Sequence, residues 1–288
     1  CASDPQSLDA IIDNEAKIAI VDGTSPHTLD PNYPGAYETL IHLGDAWDQN
    51  YLQKNKQTII DLSNVISRCH TMATSCITSA ATLLDSNRAM ALEYINLSAI
   101  EESVQQLIDE LKDSPHGPER KRLLSAVSVR RMVFFDESLM SLCPKLYVIS
   151  DDWGAASDTL LSILRERAVS MKLDVMTCYC SIQNPDKIDH LIFPSAGIGV
   201  TTSNYFHATA CRNCIPVNGL MKPVEPAEFA AMMNHLSVAQ YLIGTAANHI
   251  ARAKQLHDEL ENFYITAMDF TKIDSVYDKI VHDILKED

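Results

Sequence analysis

Apolar residues recur at three- and four-residue steps along two long stretches of the chain. From about Leu52 to Asn87 the stripe is Ile59, Leu62, Val65, Ile66, Cys69 and Met72. From Pro226 to Ala267 it is Phe229, Met232, Leu236, Leu242, Ile243 and Ile250. Both read as long helices whose stripes serve a core or a helix-pair seam. Tyr37–Trp47 takes the same helical reading. Short apolar runs bounded by turn residues stand at Lys17–Asp22, Leu146–Ser150 and Leu173–Cys178, and these read as buried strands. Asp158–Met171 lies between the last two as a crossover helix. Strand, helix and strand in that order predict a parallel α/β unit.

The pattern repeats. Asp4–His27 (DPQSLDAIIDNEAKIAIVDGTSPH) aligns with Asn184–His207 (NPDKIDHLIFPSAGIGVTTSNYFH) at a constant offset of 180, without a gap, and six of the 24 pairs are identical. Among them are Asp9/Asp189 and His27/His207. A second echo, at an offset of 173, joins Asp85–Leu111 to Asp258–Ile284. In it Asn96 and Asp269 stand at the start of matching amphipathic helices, where short polar side chains cap best. The chain therefore divides into a first half over residues 1–115, a linker over 116–128 and a second half over 129–288. The polar, turn-rich stretch DSPHGPERKR marks the joint. The second half carries a strand–loop–helix–strand, Leu146–Cys178, ahead of the shared motif. The equivalent of the first half would lie upstream of Cys1, so that half is expected to be incomplete.

The stretch VISDDWGAASDTLLSILRERA (Val148–Ala168) has the layout of a phosphate-binding loop. Such a loop follows G-x-x-x-x-G-K-[ST] between strand and helix, with backbone N–H groups around the phosphates and a lysine on the terminal ones. Aligned on Thr159, this chain has Asp151 for the first glycine, Ala156 for the second, Ser157 for the lysine and Asp158 for the magnesium-holding hydroxyl. Gly154, Ser157 and Thr159 still suit a tight turn into a helix, as an ordinary βα turn would also require. No Gly-Lys pair occurs anywhere in the chain. Ile18–Asp22 is an apolar strand ending in a carboxylate, the arrangement that orients magnesium or water in nucleotide hydrolases. A strand-end Asp that caps the turn at Gly23-Thr24 reads equally well. Its counterpart in the second half is Thr202.

Together CASDPQSLDAII, KIAIVDGTSPH, PGAYETLIHLGDAWD and NYLQKNKQTII resemble a bacterial family of tandem P-loop ATPase-like proteins. The likeness covers most of the first half. In the second it rests more loosely on RRMVFF, LYVISDDWGAASDTLL and the Asn184–His207 repeat. It implies an α/β fold of tandem P-loop NTPase-like units with parallel sheets and long helical insertions, the first unit incomplete at its N-terminus. It also implies ATP and magnesium as cofactors. Asp22 would orient the metal, Thr24 and His27 would lie near the phosphates, and Asp9 would support them. With the first loop outside this chain and the second altered, hydrolysis by these residues is expected to be weak or absent. The alternative is a non-catalytic interaction protein that uses the long helices as its partner surface.

Charge and cysteines narrow the partners. The net charge of -15 opposes nucleic acid and anionic membranes. Eight cysteines in 288 residues make no disulfide framework, and a reducing cytoplasm fits them. His207-x3-Cys211-x2-Cys214 has metal-ligand spacing, with Cys178 or Cys180 as a fourth zinc ligand. Free structural thiols account for the same residues. Neither Gly-x-Ser-x-Gly nor His-Glu-x-x-His occurs, which leaves those hydrolase classes without support.

Overall fold

The computed structural model describes residues 8–13, 15–24, 28–183, 185–210 and 213–284. Packing divides the chain into two compact units, one of Cys1–His70 with Ala251–Asp288 and one of Thr71–Ile250. In chain order the elements are β1 (Ala10–Asp13), β2 (Ile18–Val21), α1 (Gln49–Lys54), α2 (Lys56–Leu92), α3 (Leu97–Leu111), β3 (Glu119–Arg122), β4 (Ser125–Ser128), β5 (Arg131–Phe134), α4 (Asp136–Leu142), β6 (Lys145–Ser150), α5 (Ala155–Ser170), β7 (Val175–Tyr179), β8 (Ile188–Phe193), β9 (Ile198–Ser203), β10 (Asn213–Ile215), α6 (Val217–Leu220), α7 (Pro226–Ala267) and α8 (Phe270–Ile284). Among the described residues no helix is long and apolar enough to cross a membrane.

The larger unit is a mixed α/β fold built on a six-stranded sheet, in the order β10-β6-β9-β8-β7-β3. Every pairing is parallel except β7–β8 and β8–β9, so β8 alone runs against the rest. The expected all-parallel sheet is corrected on this point. β8 reaches β9 through only Pro194–Gly197, closed by Gly197 at φ 65, and a connection that short joins only antiparallel strands. The segment read as a linker, residues 116–128, carries β3 and all of β4. β3 (ERKR) is polar because it is the sheet edge, where charge discourages further pairing. Its Glu119 is tied by Arg165 Nε and Nη2 at 2.6 and 2.7 Å and by the Thr177 hydroxyl at 2.7 Å.

Two apolar layers hold this unit. One joins α3 and α5 to the sheet through Ile100, Val104, Leu107, Leu111, Leu160, Leu161, Leu164, Leu191 and Phe193. In the other, α2 faces α7 through Ala73, Ala80, Leu84, Leu236, Ala239, Ile243 and Ala246. The alanines let the two backbones approach closely. Asn87 satisfies itself across this pair, donating to Met232 O at 2.8 Å and meeting His235 Nδ1 at 2.8 Å.

In the smaller unit Cys69, Ala253 and Leu256 pack with Leu62, Val65 and Ile66, and Trp47 tilts against Tyr264. Tyr37–Trp47 forms only a 3-10 turn at Leu43–Ala46 rather than the expected helix. Pro34, Gly35 and Gly44 punctuate the stretch. The β1–β2 hairpin reproduces β8–β9 residue for residue. Ala10↔Val21 through Asp13↔Ile18 match His190↔Thr201 through Phe193↔Ile198 at the offset of 180. Even the left-handed turn residue is shared, Lys17 at φ 59 against Gly197 at φ 65. Likewise α3 and α8 coincide end to end at the offset of 173. The surroundings differ: β8 is buried throughout, whereas all of β1 is exposed.

Candidate functional site

The loop from β6 into α5 is closed on itself. β6 ends at Ser150, and Gly154 turns the chain with φ 72 into the first residue of α5. The first four backbone N–H groups of a helix have no partner within it, and in a phosphate-binding loop the phosphate takes some of them. Here Asp151 takes one of them, the Ser157 N–H, together with a loop N–H from Trp153. Its Oδ2 accepts the Ser157 N–H at 2.9 Å and the Ser157 hydroxyl at 3.0 Å, while Oδ1 accepts the Trp153 N–H at 3.1 Å. Asp151 is buried, at 2% exposure, so an anion from solvent would have to displace it to reach these donors. Thr159 turns its hydroxyl back onto Ala155 O at 2.8 Å. Asp158, at the place of the magnesium-holding hydroxyl, accepts from Arg88 Nη1 at 2.8 Å and from the Ile188 N–H at 3.0 Å. Burial pushes the Asp158 carboxyl above its usual range.

A lysine from another element approaches this loop. Lys187, just before β8, is wholly buried and pairs with Asp189. A Cβ on Gly154 would lie 2.8 Å from Lys187 Cε and 3.5 Å from its Nζ. Burial would lower the Lys187 pKa, but the Asp189 carboxylate outweighs it and raises it. Burial would likewise raise Asp189, and the Lys187 ammonium holds it low instead. The cation is thus spent on an internal carboxylate. Gly154→Ala is expected to destabilise the protein by about 1–3 kcal/mol, since a side chain is strained at this φ and the paired Lys187 cannot retreat. Urea unfolding would measure it, and an unchanged midpoint would show that the loop shifts freely.

Beyond the C-terminal ends of β6 and β9 lies a cleft of ≈ 310 Å³ lined by Ser150, Asp152, Ser203, Asn204 and Tyr205. Ligands of open α/β sheets bind at such ends. Burial and the neighbouring Asp151 raise the Asp152 carboxyl. The lining holds no cation, which disfavours phosphate.

β8 and β9 bring a second polar group together under the loop that follows β9. His190 Nδ1 meets the Thr201 hydroxyl at 2.6 Å, and His207 Nε2 meets the Thr202 hydroxyl at 2.9 Å. The two rings lie edge to face at 5.0 Å, both against Phe134. A turn built on Asn204 Oδ1, which accepts the Phe206 and His207 N–H groups, delivers His207. Burial pushes the His190 pKa down to about 3 and lowers that of His207.

Of the other residues singled out from the sequence, Asp9, Asp22 and Thr24 belong to the smaller unit. Asp22 Oδ1 accepts the Thr24 N–H at 2.8 Å and its hydroxyl at 2.7 Å, both exposed, while the Asp22 N–H donates to Asp9 O at 2.9 Å. His27 and Cys211 lie outside the described residues. Cys214 is disulfide-bonded, and a disulfide sulfur is not the thiolate that zinc takes. Burial pushes the Cys178 and Cys180 thiols up to about 12, which suits structural thiols. His207 sits with Asp189 and His190, a grouping announced in the sequence only by the Asp9/Asp189 and His27/His207 identities. No signal marked Lys187 or Arg88.

No family model, curated protein or solved structure matches the chain.

Proposed function

We propose that the chain is a P-loop NTPase-related protein whose second unit keeps the shape of a nucleotide site without its chemistry, so that residues 129–288 do not bind or hydrolyse ATP. The carrying observation is the Asp151 carboxylate on the Ser157 N–H and hydroxyl, the donors that a phosphate would need. Arg88 and Lys187 are already neutralised by Asp158 and Asp189. Any Mg-dependent ATPase activity then belongs to the first unit, through Asp22 with Thr24, His27 and Asp9. The β1–β2 hairpin supports the kinship of the two halves, because it repeats the register of β8–β9 at the offset of 180.

Equilibrium binding of a fluorescent ATP analogue with magnesium tests this. The expected result is no saturable binding below about 1 mM, a free energy weaker than about 4 kcal/mol. Micromolar, magnesium-dependent binding that survives Asp22→Asn would place a working site in the second unit and end the proposal.

A non-catalytic interaction role draws support from large apolar side chains exposed on the helices, including Phe229 and Tyr241 on α7 and Phe270 and Tyr277 on α8.

A further inference from the structure

We infer that Asp189, His190 and His207 form a site for a divalent transition-metal ion of the zinc class, distinct from the cysteine set that the sequence spacing suggests. Each residue offers one ligand atom, and these atoms lie within 4.8 Å of one another. All three residues are buried, at 1%, 0% and 5% exposure. Tetrahedral zinc with bonds of about 2.0–2.1 Å sets its ligands roughly 3.4 Å apart, so drawing these atoms together by up to about 1.4 Å would give three of the four positions.

A second, independent observation points to a ligand. His190 Nε2 is buried with no hydrogen-bond partner. Its other nitrogen is taken by Thr201, so Nε2 is the atom left to bind. A buried, unsatisfied polar atom of this kind is unfavourable by about 1–3 kcal/mol and calls for an explanation. The Thr201 hydroxyl orients the His190 ring from behind, the usual arrangement for a metal-binding imidazole.

Two imidazoles and one carboxylate select zinc, cobalt, nickel, copper or iron over magnesium and calcium, which prefer all-oxygen sets. Lys187 occupies Asp189 Oδ1 and leaves Oδ2. Lys187, Arg88, Asp158 and Asp189 together are formally neutral. A dication brought into this buried group therefore favours an anionic fourth ligand such as hydroxide. The site does not depend on nucleotide binding by either unit.

The purified full chain, stripped with a chelator, would be titrated with Zn²⁺ alone and counted by plasma mass spectrometry. Co²⁺ alone would report coordination through its visible absorption. One equivalent per chain is expected, with the Co²⁺ spectrum of a four-coordinate site. His190→Asn and His207→Asn should abolish it, and Cys211→Ser with Cys214→Ser should leave it unchanged. Thr201→Val, close to isosteric and therefore compatible with folding, should weaken binding about 10–100-fold, as loss of an orienting partner does at known sites. The inference is overturned if the wild type holds no stoichiometric metal. It is equally overturned if metal survives His190→Asn, which would assign it elsewhere, for example to exposed His257, Asp258 and Glu261, or if it leaves with the cysteines.

Discussion

Lys187→Ala should destabilise the larger unit by about 3–5 kcal/mol, the loss seen when one partner of a buried ion pair is removed. The side chains of Lys187 and Asp189 are each 2% exposed. Alanine would leave the Asp189 carboxylate in the interior without its counter-charge, so that it must either protonate or admit water. It would also remove the alkyl stem packed under Gly154. Urea unfolding at pH 7, followed by circular dichroism, would show the midpoint fall. The pair itself need not be stabilising, because apolar groups of similar volume replace such pairs at little loss. Lys187→Met with Asp189→Leu is therefore expected to recover most of the stability lost by Lys187→Ala. A single variant within about 1 kcal/mol of wild type, the spread of ordinary substitutions, would mean that Asp189 is solvated.

The second large effect is acid sensitivity. His190 titrates near 6.5 when unfolded and, pushed down by burial, at about 3 when folded. The unfolded chain takes up the proton first. Stability is therefore complete above about pH 6.5 and is lost as the pH falls from there toward 3. At pH 5 the loss from His190 alone is about 2 kcal/mol. His207, also lowered by burial, adds loss of the same sign. Asp158, raised by burial, acts in the opposite sense at lower pH. Asp189, held low by Lys187, begins to contribute only below its unfolded value of 3.8. Unfolding curves at pH 7, 6 and 5, run in chelator, would read the slope, and His190→Asn should flatten it. A stability that does not change between pH 7 and 5 in wild type would contradict the burial of both rings.

Local pattern carried much of the fold. The strand–helix–strand around α5 falls within three residues of its expected bounds, and Pro226–Ala267 forms a single helix as its stripe requires. Asn96 caps α3 through the Ala99 N–H. The repeat offsets, visible as scattered identities, reappear as matched strand register and helix ends. Strand order and direction were not legible, because they depend on pairings far apart in sequence. The place of β8 follows from the brevity of the turn after it, a constraint easily read only once β9 is known to be its neighbour. Set against a phosphate-binding loop, the β6–α5 stretch lacks a lysine and adds acid, and both departures are plain in the sequence. Its closure by Asp151 depends on a side-chain direction that no spacing reveals. Lys187 and Arg88 look like ordinary surface charges until the fold buries them. The Cys211–Cys214 spacing drew attention to His207, and the fold sets that ring beside Asp189 and His190, neighbours that no local spacing reveals.

The β1–β2 ribbon carries one more consequence. Ile11 and Ile12 are 60% and 66% exposed, and two strands alone are marginal in water. Among the described residues no third strand pairs with either rim of the ribbon, and rims of this kind beside apolar side chains are the template on which foreign strands accrete. Handled at high concentration without something laid along those rims, the protein would tend to cluster through this segment, and charged residues placed at Ile11 or Ile20 would keep it dispersed.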